Sequence, residues 1–413
     1  MVPERTITGP ALLDYQEARD RVAAVVHPTP LEQSTALADV LGSPVYLKCE
    51  NLQRTGSYKL RGAYNRLSRL SEDEKARGVV AASAGNHAQG VAYAARALGI
   101  HATIFMPVGV ALPKLQATRH YGAEVELVGA TVAGALEAAA EFAERTGAMF
   151  IHPFDHPDVV AGQGTLGLDI YDQRPDVDTV IVPIGGGGLA SGVAGAIKQR
   201  AVLDGRTVRV IGVQASNAAS YPPSLRAGEP VEIVTRPTIA DGILVNKPGR
   251  LNFAMIREMV DEVITVDDDE TARAMVLLLE RAKLVVEPAG AVGVAAVLEG
   301  RVRDSGTTVV LLSGGNIDPM MMERVISHGL AASERYLKLR IPLPDRPGQL
   351  ARVSELVAGA NANVVEVLHT RHNRGLQISQ VELELHIEAR GPEHAEHVLE
   401  VLRADGFEPR LDF

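Results

Sequence analysis

The sequence has 413 residues, enough for two or three domains, and its formal net charge is −10. This charge and the absence of tryptophan argue against nucleic acid or an anionic membrane as a partner, because such partners attract basic patches and stacking aromatic side chains. No stretch reaches the ~18 apolar residues of a membrane span, and the N-terminal residues lack the pattern of a secretory signal peptide. Cys49 is the only cysteine, which excludes an internal disulfide and favours the reducing cytoplasm.

From about residue 79 to residue 313, short apolar runs alternate with stretches of helical composition. The runs predict strands at 79–83, 101–107, 124–129, 179–184, 208–214 and 307–315. The stretches after the first three runs predict helices at 87–99, 113–122 and about 131–147. Nearly continuous apolar strands are typical of parallel sheets that helices cover on both faces, so we expect open, mainly parallel α/β sheets. Such sheets bind ligands at the carboxyl ends of their strands.

The pattern changes after about residue 331. The predicted elements are a strand at 336–343, a helix at 347–360, a hairpin of 363–372 and 376–389 around a turn at Asn373–Gly375, a helix at 393–406 and a strand at 407–413. The order β-α-β-β-α-β is that of the ferredoxin-like fold. We therefore expect a second domain over about residues 335–413.

The first chemical motif is the segment Ser57-Tyr58-Lys59-Leu60-Arg61-Gly62-Ala63. A lysine amine condenses with an aldehyde only in its neutral form, which a partly buried site favours. On its own, a lysine between Gly56 and Gly62 is more typical of a solvated helix. Lys59 becomes a candidate for imine formation only in combination with three further motifs.

The second motif closes the strand at 79–83 and opens the next helix; it consists of Ser83, Ala84, Gly85, Asn86 and His87. Successive backbone N–H groups at a helix N-terminus form an anion site, and a substrate carboxylate is a natural ligand for it. The side chain of Asn86 can also donate a hydrogen bond to a cofactor oxygen. An ordinary strand-to-helix turn with a capping Ser or Asn explains the same residues equally well.

The third motif follows the strand at 179–184 and consists of Gly185, Gly186, Gly187, Gly188 and Leu189. Consecutive glycines leave backbone donors unshielded, so a phosphate can approach closely. No Lys-Ser/Thr follows the run, and the Gly-x-Gly-x-x-Gly spacing of a dinucleotide site is absent. The run therefore favours a site for a single phosphate, with a flexible turn as the alternative.

The fourth motif, Ser313-Gly314-Gly315-Asn316, ends the strand at 307–315. A serine hydroxyl can hydrogen-bond a pyridine nitrogen, whereas a carboxylate would keep that nitrogen protonated and make the ring a deep electron sink. A hydroxyl partner therefore suits β-elimination better than transamination. A plain turn at the end of a strand is the alternative.

Together these motifs resemble those of the threonine/serine dehydratases in the tryptophan-synthase-β-like (fold type II) family of pyridoxal 5′-phosphate (PLP) enzymes. The resemblance covers about residues 5–330 and rests on SYKLRGA (57–63), SAGNHAQG (83–90), HPFDHPDVVAGQGT (152–165), GGGGL (185–189) and SGGN (313–316). It implies PLP as the cofactor and a catalytic unit at 1–330, with a smaller subdomain of about 55–155 inserted into a larger one. It further implies that Lys59 is the Schiff-base lysine, that Asn86 contacts the cofactor, that Gly185 to Leu189 hold its phosphate and that Ser313 contacts its ring nitrogen.

The loop from Asp345 to Leu350 lies between the first strand and the first helix of the tail, and it resembles the loop of an ACT domain. The resemblance implies a regulatory domain at 335–413, a possible amino-acid effector such as isoleucine or valine, and assembly as a homodimer or homotetramer. A purely structural or oligomerising domain is the alternative.

Two departures limit what the resemblance implies. Where serine racemases carry acidic ligands for a divalent cation, the segment Gln214–Ser220 has no carboxylate, so we expect no metal site. The long biosynthetic threonine dehydratases carry a larger regulatory tail, whereas this chain has room for one ACT-like unit. His152, Asp155 and His156 lie among prolines and favour a structural loop over a metal cluster.

The expected reaction is the PLP-dependent deamination of L-threonine by β-elimination, which yields 2-oxobutanoate and ammonia, with activity on L-serine as well. In this reaction Lys59 removes the α-proton of the substrate. A serine or hydroxyaspartate dehydratase or racemase on the same scaffold is one alternative. An amino-acid sensor with a degenerate catalytic unit is another, against which Lys59, the glycine run and Ser313 argue.

Overall fold

The computed structural model of the protein describes residues 9–371 and 379–411. The chain divides into two compact units, Met1–Pro319 and Met320–Phe413. Within the described ranges, every helix is too short or too polar to cross a membrane.

The helices alternate with the strands along most of the chain. The helices are α1 Leu12–Val22, α2 Thr35–Leu41, α3 Lys59–Ser68, α4 Glu72–Arg77, α5 Asn86–Leu98, α6 Leu112–His120, α7 Val132–Thr146, α8 Pro157–Gln173, α9 Gly188–Leu203, α10 Tyr221–Ala227, α11 Arg250–Met259, α12 Asp268–Leu277, α13 Pro288–Leu298, α14 Pro319–Ala332, α15 Gln349–Gly359 and α16 Pro392–Ala404. The strands are β1 Leu31–Gln33, β2 Val45–Cys49, β3 Val79–Ala82, β4 Ala102–Met106, β5 Glu124–Leu127, β6 Met149–Phe150, β7 Thr179–Pro183, β8 Arg209–Ala215, β9 Glu262–Val266, β10 Thr308–Leu312, β11 Tyr336–Pro344, β12 Asn363–Thr370, β13 Gln380–Glu388 and β14 Arg410–Leu411.

The larger sheet of the first unit has six strands in the order β1-β2-β10-β7-β8-β9. All neighbours are parallel except β1, which is antiparallel to β2. Alternate residues point to opposite faces, so Val180 packs with α8 and α9, whereas Ile181 lies against Gly293 of α13. Helices therefore cover both faces, as the apolar strands predict.

The smaller sheet has four parallel strands in the order β5-β4-β3-β6. Every residue of β3 is buried. Val79 and Ala81 pack in a core with α3 and α5, and Val80 and Ala82 pack in a second core with α7. Two open parallel sheets thus form this unit, and the predicted α/β class is confirmed.

The second unit has the predicted β-α-β-β-α-β order, formed by β11, α15, β12, β13, α16 and β14. Its antiparallel sheet has the strand order β12-β13-β11-β14. Residues of β11 alternate in burial, and Leu337, Leu339, Ile341 and Leu343 form a core with residues of α15 and α16. The ferredoxin-like arrangement is therefore confirmed, while the predicted turn at Asn373–Gly375 lies outside the described residues.

Candidate active site

A single cavity of about 380 Å³ lies at the carboxyl ends of β3, β7 and β10. Every residue selected from the sequence as a site residue lines it: Lys59, Ser83, Ala84, Gly85, Asn86, His87, Gly185, Gly186, Gly187, Gly188, Leu189 and Ser313. The four motifs lie more than 250 residues apart at their extremes, and the two parallel sheets bring them together because the loops after these strands open into the same space.

Lys59 is the first residue of α3, and backbone contacts fix its position. The N–H of Tyr58 donates to the Ser313 carbonyl at 3.1 Å, and the N–H of Gly315 donates to the Gly56 carbonyl at 2.9 Å. Helix α5 approaches so closely that a Cβ at Gly90 would lie 3.1 Å from the carbonyl carbon of Lys59. The segment before Lys59 is therefore held between the loop after β10 and helix α5.

The amine of Lys59 faces the cavity and donates a hydrogen bond to the Pro153 carbonyl at 3.1 Å. Burial lowers the pKa of Lys59 to about 8, and the carboxylate of Glu287 partly opposes that shift. The neutral amine is therefore accessible near physiological pH, which is the condition that condensation with an aldehyde requires.

The glycine run forms a cradle of backbone donors at the start of α9. Gly187 has a φ of +103° and lies at the N-cap. Among the residues that the structure describes, the N–H groups of Gly185 to Leu189 have no acceptor, as expected where a helix N-terminus opens into a cavity. Such free donors, together with the positive end of the helix dipole, fit a phosphate.

The glycines are also required by their protein neighbours. A Cβ at Gly186 would lie 2.5 Å from the ring of Phe154, and a Cβ at Gly187 would overlap the hydroxyl of Tyr221. Tyr221 and Asn252 each donate a hydrogen bond to the Gly186 carbonyl, both at 3.2 Å. The loop is therefore shaped by these contacts and is not a freely flexible turn.

The loop after β3 has a similar form at the start of α5. The N–H of Gly85 donates to the Ser83 hydroxyl at 3.1 Å, which tightens the turn ahead of Asn86. The first N–H groups of α5, those of Asn86 and His87, have no acceptor within the described part of the chain. His87 itself is buried, and its Nε2 lies 2.9 Å from the Ile151 carbonyl. Burial, reinforced by the charge of Lys59, lowers the pKa of His87 to about 3, so the ring is neutral and has a packing role.

The amide of Asn86 connects this loop to a buried carboxyl group that had no predicted role. Asn86 Nδ2 donates to Glu287 Oε1 at 2.7 Å, and Asn86 Oδ1 accepts from Asn316 Nδ2 at 2.8 Å. Glu287 is 5% exposed and lines the cavity. Burial and the charge of Asp241 raise the pKa of Glu287 to about 7, against the lowering effects of Lys114, Asn86 and Lys59.

The hydroxyl of Ser313 lies at the cavity wall, after β10. Ser313 is 3% exposed and lines the cavity. A hydroxyl both donates and accepts hydrogen bonds, so this position is suited to a polar atom of a ligand.

The side chains of His152 and Asp155 accept hydrogen bonds from backbone N–H groups and so hold a loop in place. His152 Nδ1 accepts hydrogen bonds from the N–H groups of Phe154 and Asp155 at 3.2 and 2.8 Å. The carboxylate of Asp155 accepts from the N–H groups of Arg250 and Leu251 at 2.9 and 3.1 Å, and so it caps the start of α11. No group of three His, Cys, Asp or Glu side chains in the described ranges is arranged to hold a metal ion.

Two further ionic side chains at the cavity were not predicted from the sequence. Lys114 of α6 and Asp241 form an ion pair with 2.9 Å between Lys114 Nζ and Asp241 Oδ2. They are 127 residues apart, and neither belongs to a motif. Only the fold brings these two residues together, so no local sequence pattern predicts the pair.

The Lys59 amine of lowered pKa, the cradle of free N–H groups and the Ser313 hydroxyl line one cavity, and together they suit a cofactor that carries both an aldehyde and a phosphate. A family model described as "Pyridoxal-phosphate dependent enzyme" matches residues 22–314, and the chain belongs to this family. The two parallel sheets are accordingly those of a fold type II PLP enzyme.

Individual relatives are similar over most of the chain. The chain is 48% identical to the L-threonine ammonia-lyase of Thermotoga maritima over 400 residues, which cover 97% of this chain and 99% of the relative. The processed form of threonine deaminase isoform 2 from Solanum lycopersicum is similar in structure, with a TM-score of 0.72 and 38% identity over 78% of this chain and 95% of that chain. Maize serine racemase gives a TM-score of 0.71 and 35% identity over 78% of this chain and 98% of that chain.

The residues present fit PLP. The free N–H groups of Gly185 to Leu189 match the hydrogen-bonding needs of a phosphate, and the Lys59 amine matches those of an aldehyde. The Ser313 hydroxyl in the cavity wall matches a ring nitrogen as a neutral partner. All three groups line the same cavity, whose volume is in the usual range for a cofactor site.

Proposed function

We propose that this chain is a PLP-dependent L-threonine ammonia-lyase, which converts L-threonine to 2-oxobutanoate and ammonia and also acts on L-serine. The observation that carries the proposal is that the Lys59 amine and the glycine cradle line one cavity together with a second anion-binding loop. The near-complete coverage of the Thermotoga maritima L-threonine ammonia-lyase supports threonine as the substrate.

We assign the cofactor contacts from the groups that line the cavity. Lys59 would attach the aldehyde, the N–H groups of Gly185, Gly186, Gly187, Gly188 and Leu189 would hold the phosphate, and Ser313 would contact the ring nitrogen. The amide of Asn86 would contact the 3′-oxygen of the cofactor ring. Glu287 orients that amide, because it accepts a hydrogen bond of 2.7 Å from Asn86 Nδ2. When bound, PLP withdraws electrons from the substrate Cα and so acidifies the α-proton.

The other steps belong to this chain's own groups. The N–H groups at the start of α5, with Ser83, Ala84, Gly85, Asn86 and His87, bind the substrate carboxylate and fix the orientation of Cα. Once the substrate amine has taken the place of Lys59 on the aldehyde, Lys59 Nζ would be free to accept the α-proton, and its lowered pKa makes the neutral amine accessible. With PLP bound, the Ser313 hydroxyl would leave the ring nitrogen without a full positive charge, which would favour loss of the β-hydroxyl over transamination.

The Lys59→Ala variant tests this assignment. We expect turnover of threonine to fall by at least ~10²–10⁴, the typical contribution of a general base, and the absorbance of the covalently held cofactor to disappear. Lys75→Ala is a matched control in the same unit, because Lys75 pairs with the exposed Glu72 on α4 and does not line the cavity. If purified Lys59→Ala keeps the absorbance of the wild type, the assignment is wrong.

A serine or hydroxyaspartate dehydratase or racemase is the second candidate, favoured by the similarity to maize serine racemase. A product assay with L-threonine, L-serine and hydroxyaspartate, combined with chiral analysis, separates the two. Dominant formation of D-serine would support the racemase, and dominant 2-oxobutanoate would support the ammonia-lyase. If no 2-oxo acid forms although PLP is bound, the chain is instead an amino-acid sensor.

We propose that residues 335–413 form an ACT regulatory domain and that residues 1–330 form the catalytic unit, whose smaller subdomain spans about 55–155. The loop from Asp345 to Leu350 is exposed, and Gly348 has a φ of +93° with open space around its Cβ position, which lets a ligand approach the backbone. Isoleucine or valine bound there would change turnover. If deletion of 335–413 leaves the response to these amino acids unchanged, the proposal fails.

We further propose a homodimer or homotetramer that works in the cytoplasm. The lone and buried Cys49 is compatible with a reducing compartment, because it needs no disulfide partner. Light scattering on the purified protein distinguishes the two oligomers from a monomer, and fractionation of cells tests the location.

A further inference from the structure

The ion pair between Lys114 and Asp241 spans the cavity from one sheet to the other. Helix α6, which carries Lys114, packs against α5 and β5 of the smaller sheet. Asp241 begins a single helical turn, Asp241–Ile243, that contacts α13 on the larger sheet. Lys114 Nζ and Asp241 Oδ2 are 2.9 Å apart, and both residues line the cavity.

Lys114 also lies beside the loop after β3. A Cβ built on Gly85 would have only one neighbour within 4 Å outside its own loop, namely Lys114 Nζ at 4.0 Å. The space in front of Gly85 is therefore open apart from this ammonium group. The N–H groups of Asn86 and His87, which have no acceptor in the described ranges, lie at the same helix start.

The charges around the cavity leave Lys114 well placed for a carboxylate. The lining contains two lysines, Lys59 and Lys114, and two carboxyl groups, Asp241 and Glu287. Lys59 lies at the start of α3 and contacts Pro153, whereas Lys114 stands over the loop that carries Gly85. An ammonium group has three N–H donors, and the contact with Asp241 uses one of them.

We propose that Lys114 binds the substrate carboxylate together with the first N–H groups of α5, and that it keeps its ion pair with Asp241 while doing so. Lys114 then determines specificity for α-amino acids over amines. Its side chain contacts both the bound carboxylate at the smaller sheet and Asp241 at the larger sheet. This inference rests on the proposed function, because it takes the substrate to be an amino acid.

Lys114→Met tests the contact, because methionine keeps the length of the side chain and removes its charge. A charge-assisted hydrogen bond corresponds to roughly 10–100-fold in affinity, so we expect the KM for L-threonine to rise by about that factor. We expect kcat to change by less than about threefold, because the carboxylate is bound alike before and during the reaction. Lys198→Met is the matched control, since Lys198 forms an ion pair of 2.7 Å with Asp261 away from the cavity.

Two inhibitors separate the carboxylate contact from the rest of the site. (S)-2-Hydroxybutanoate has the carboxylate without the amine, and 1-aminopropan-2-ol has the amine without the carboxylate. Lys114→Met should weaken inhibition by the first about 10–100-fold and leave inhibition by the second within about threefold. Equal weakening of both inhibitors would overturn the proposal.

Asp241→Asn tests whether Lys114 binds the substrate carboxylate or only connects the two sheets through its ion pair with Asp241. This variant keeps the charge of Lys114 and removes its partner, so we expect (S)-2-hydroxybutanoate to bind as tightly as to the wild type or more tightly. If Asp241→Asn weakens binding as much as Lys114→Met does, the pair is only a tether and the proposal is wrong. Lys114→Arg should rescue most of the carboxylate binding, because it restores the positive charge.

Two measurements separate a loss of the carboxylate contact from misfolding and from failure of the proposed function. A Lys114→Met protein with the absorbance of the wild type is folded around its cofactor; if it lacks that absorbance, Lys114→Gln takes its place. A wild type that produces no 2-oxobutanoate from threonine would refute the proposed function. In that case thermal-shift titration with (S)-2-hydroxybutanoate still reports on Lys114 directly, and equal shifts for wild type and variant would refute the carboxylate contact.

Discussion

At the scale of single residues, Glu287 is a carboxyl group of the cavity whose pKa lies near neutrality. It is buried next to the Lys59 amine and receives the hydrogen bond of Asn86. Burial and Asp241 raise its pKa to about 7, whereas an unfolded glutamate titrates near 4.5. Folded Glu287 therefore binds a proton between about pH 4.5 and pH 7 that the unfolded chain has already lost.

The sign of the resulting pH dependence follows from this difference. A carboxyl group with a raised pKa favours the folded state at low pH, and this advantage is lost as the pH rises through the folded pKa. At ~1.36 kcal/mol per pKa unit, the wild type should lose roughly 3 kcal/mol relative to Glu287→Gln between pH 4.5 and pH 8. Urea unfolding of both holoenzymes at a fixed excess of PLP measures the difference, with the exposed Glu72→Gln as the control. A difference that does not change with pH would contradict the prediction.

All the site residues selected from the sequence line the cavity, and all except Lys59 lie at or directly after the end of a predicted strand. Glu287, Lys114 and Asp241 could not be found in this way. Their significance lies in contacts between residues more than 100 positions apart, such as Asn86 with Glu287 and Lys114 with Asp241. The sequence predicted that four consecutive glycines leave room for a phosphate. It could not predict that Phe154 and Tyr221 also exclude side chains at Gly186 and Gly187.

At the scale of elements, a buried ion cluster fixes the helix that begins at Lys59. Arg61 donates Nε and Nη2 to the Glu50 carboxylate at 2.8 and 2.9 Å, and its Nη1 lies 2.8 Å from Asp169 of α8. Arg61 is 1% exposed and Glu50 is fully buried. Burial alone would raise the pKa of Glu50, but the charge of Arg61 and hydrogen bonds from Arg61 and Thr29 hold that pKa below its usual value.

Removal of Arg61 should therefore destabilise the protein strongly. Arg61→Met leaves the Glu50 carboxylate buried without its partner, which typically costs about 3–5 kcal/mol. The double variant Glu50→Gln with Arg61→Met should recover part of this loss, because it removes the unpaired charge. Urea unfolding of the holoenzyme measures both. Arg19→Met is the control, since Arg19 forms an exposed pair with Asp172 and should cost no more than about 1 kcal/mol. A cost below about 1 kcal/mol for Arg61→Met would show that the cluster does not hold α3.

The elements themselves follow the sequence closely where the pattern is strong. Strands β3, β7 and β10 are fully buried, mostly apolar runs, and their predicted positions agree with the structure to within three residues at each end, where hydrogen bonding is weakest. The short strands β1 and β6, with three and two residues, have no periodicity to detect. Strand β9 lies at the edge of the larger sheet and is mostly half-buried, so it lacks the continuous apolar run of its neighbours.

At the scale of the whole molecule, each of the two compact units has its own hydrophobic core. The cores of Met1–Pro319 lie on both faces of the two parallel sheets, and the core of Met320–Phe413 lies between one antiparallel sheet and its helices. All the residues that line the cavity belong to the first unit. A unit with its own core can unfold as a cooperative unit of its own, and a ligand stabilises only the unit that binds it.

Calorimetry of the full chain should therefore show two unfolding transitions that respond differently to the cofactor. A ligand at 100 times its Kd adds about 2.7 kcal/mol to the unit that binds it, which raises the Tm of a unit as large as Met1–Pro319 by roughly 4 °C. PLP should produce this shift in the transition of Met1–Pro319 and leave the other transition in place.

Core variants assign the two transitions. Leu339→Ala removes a fully buried side chain from the second unit and should lower only the transition that PLP does not move, by about 2–5 kcal/mol. Leu311→Ala, in the first unit, should lower only the other transition. A single transition that both variants lower and that PLP raises as a whole would mean that the two units unfold together, in which case the stability of the tail depends on the occupancy of the active site.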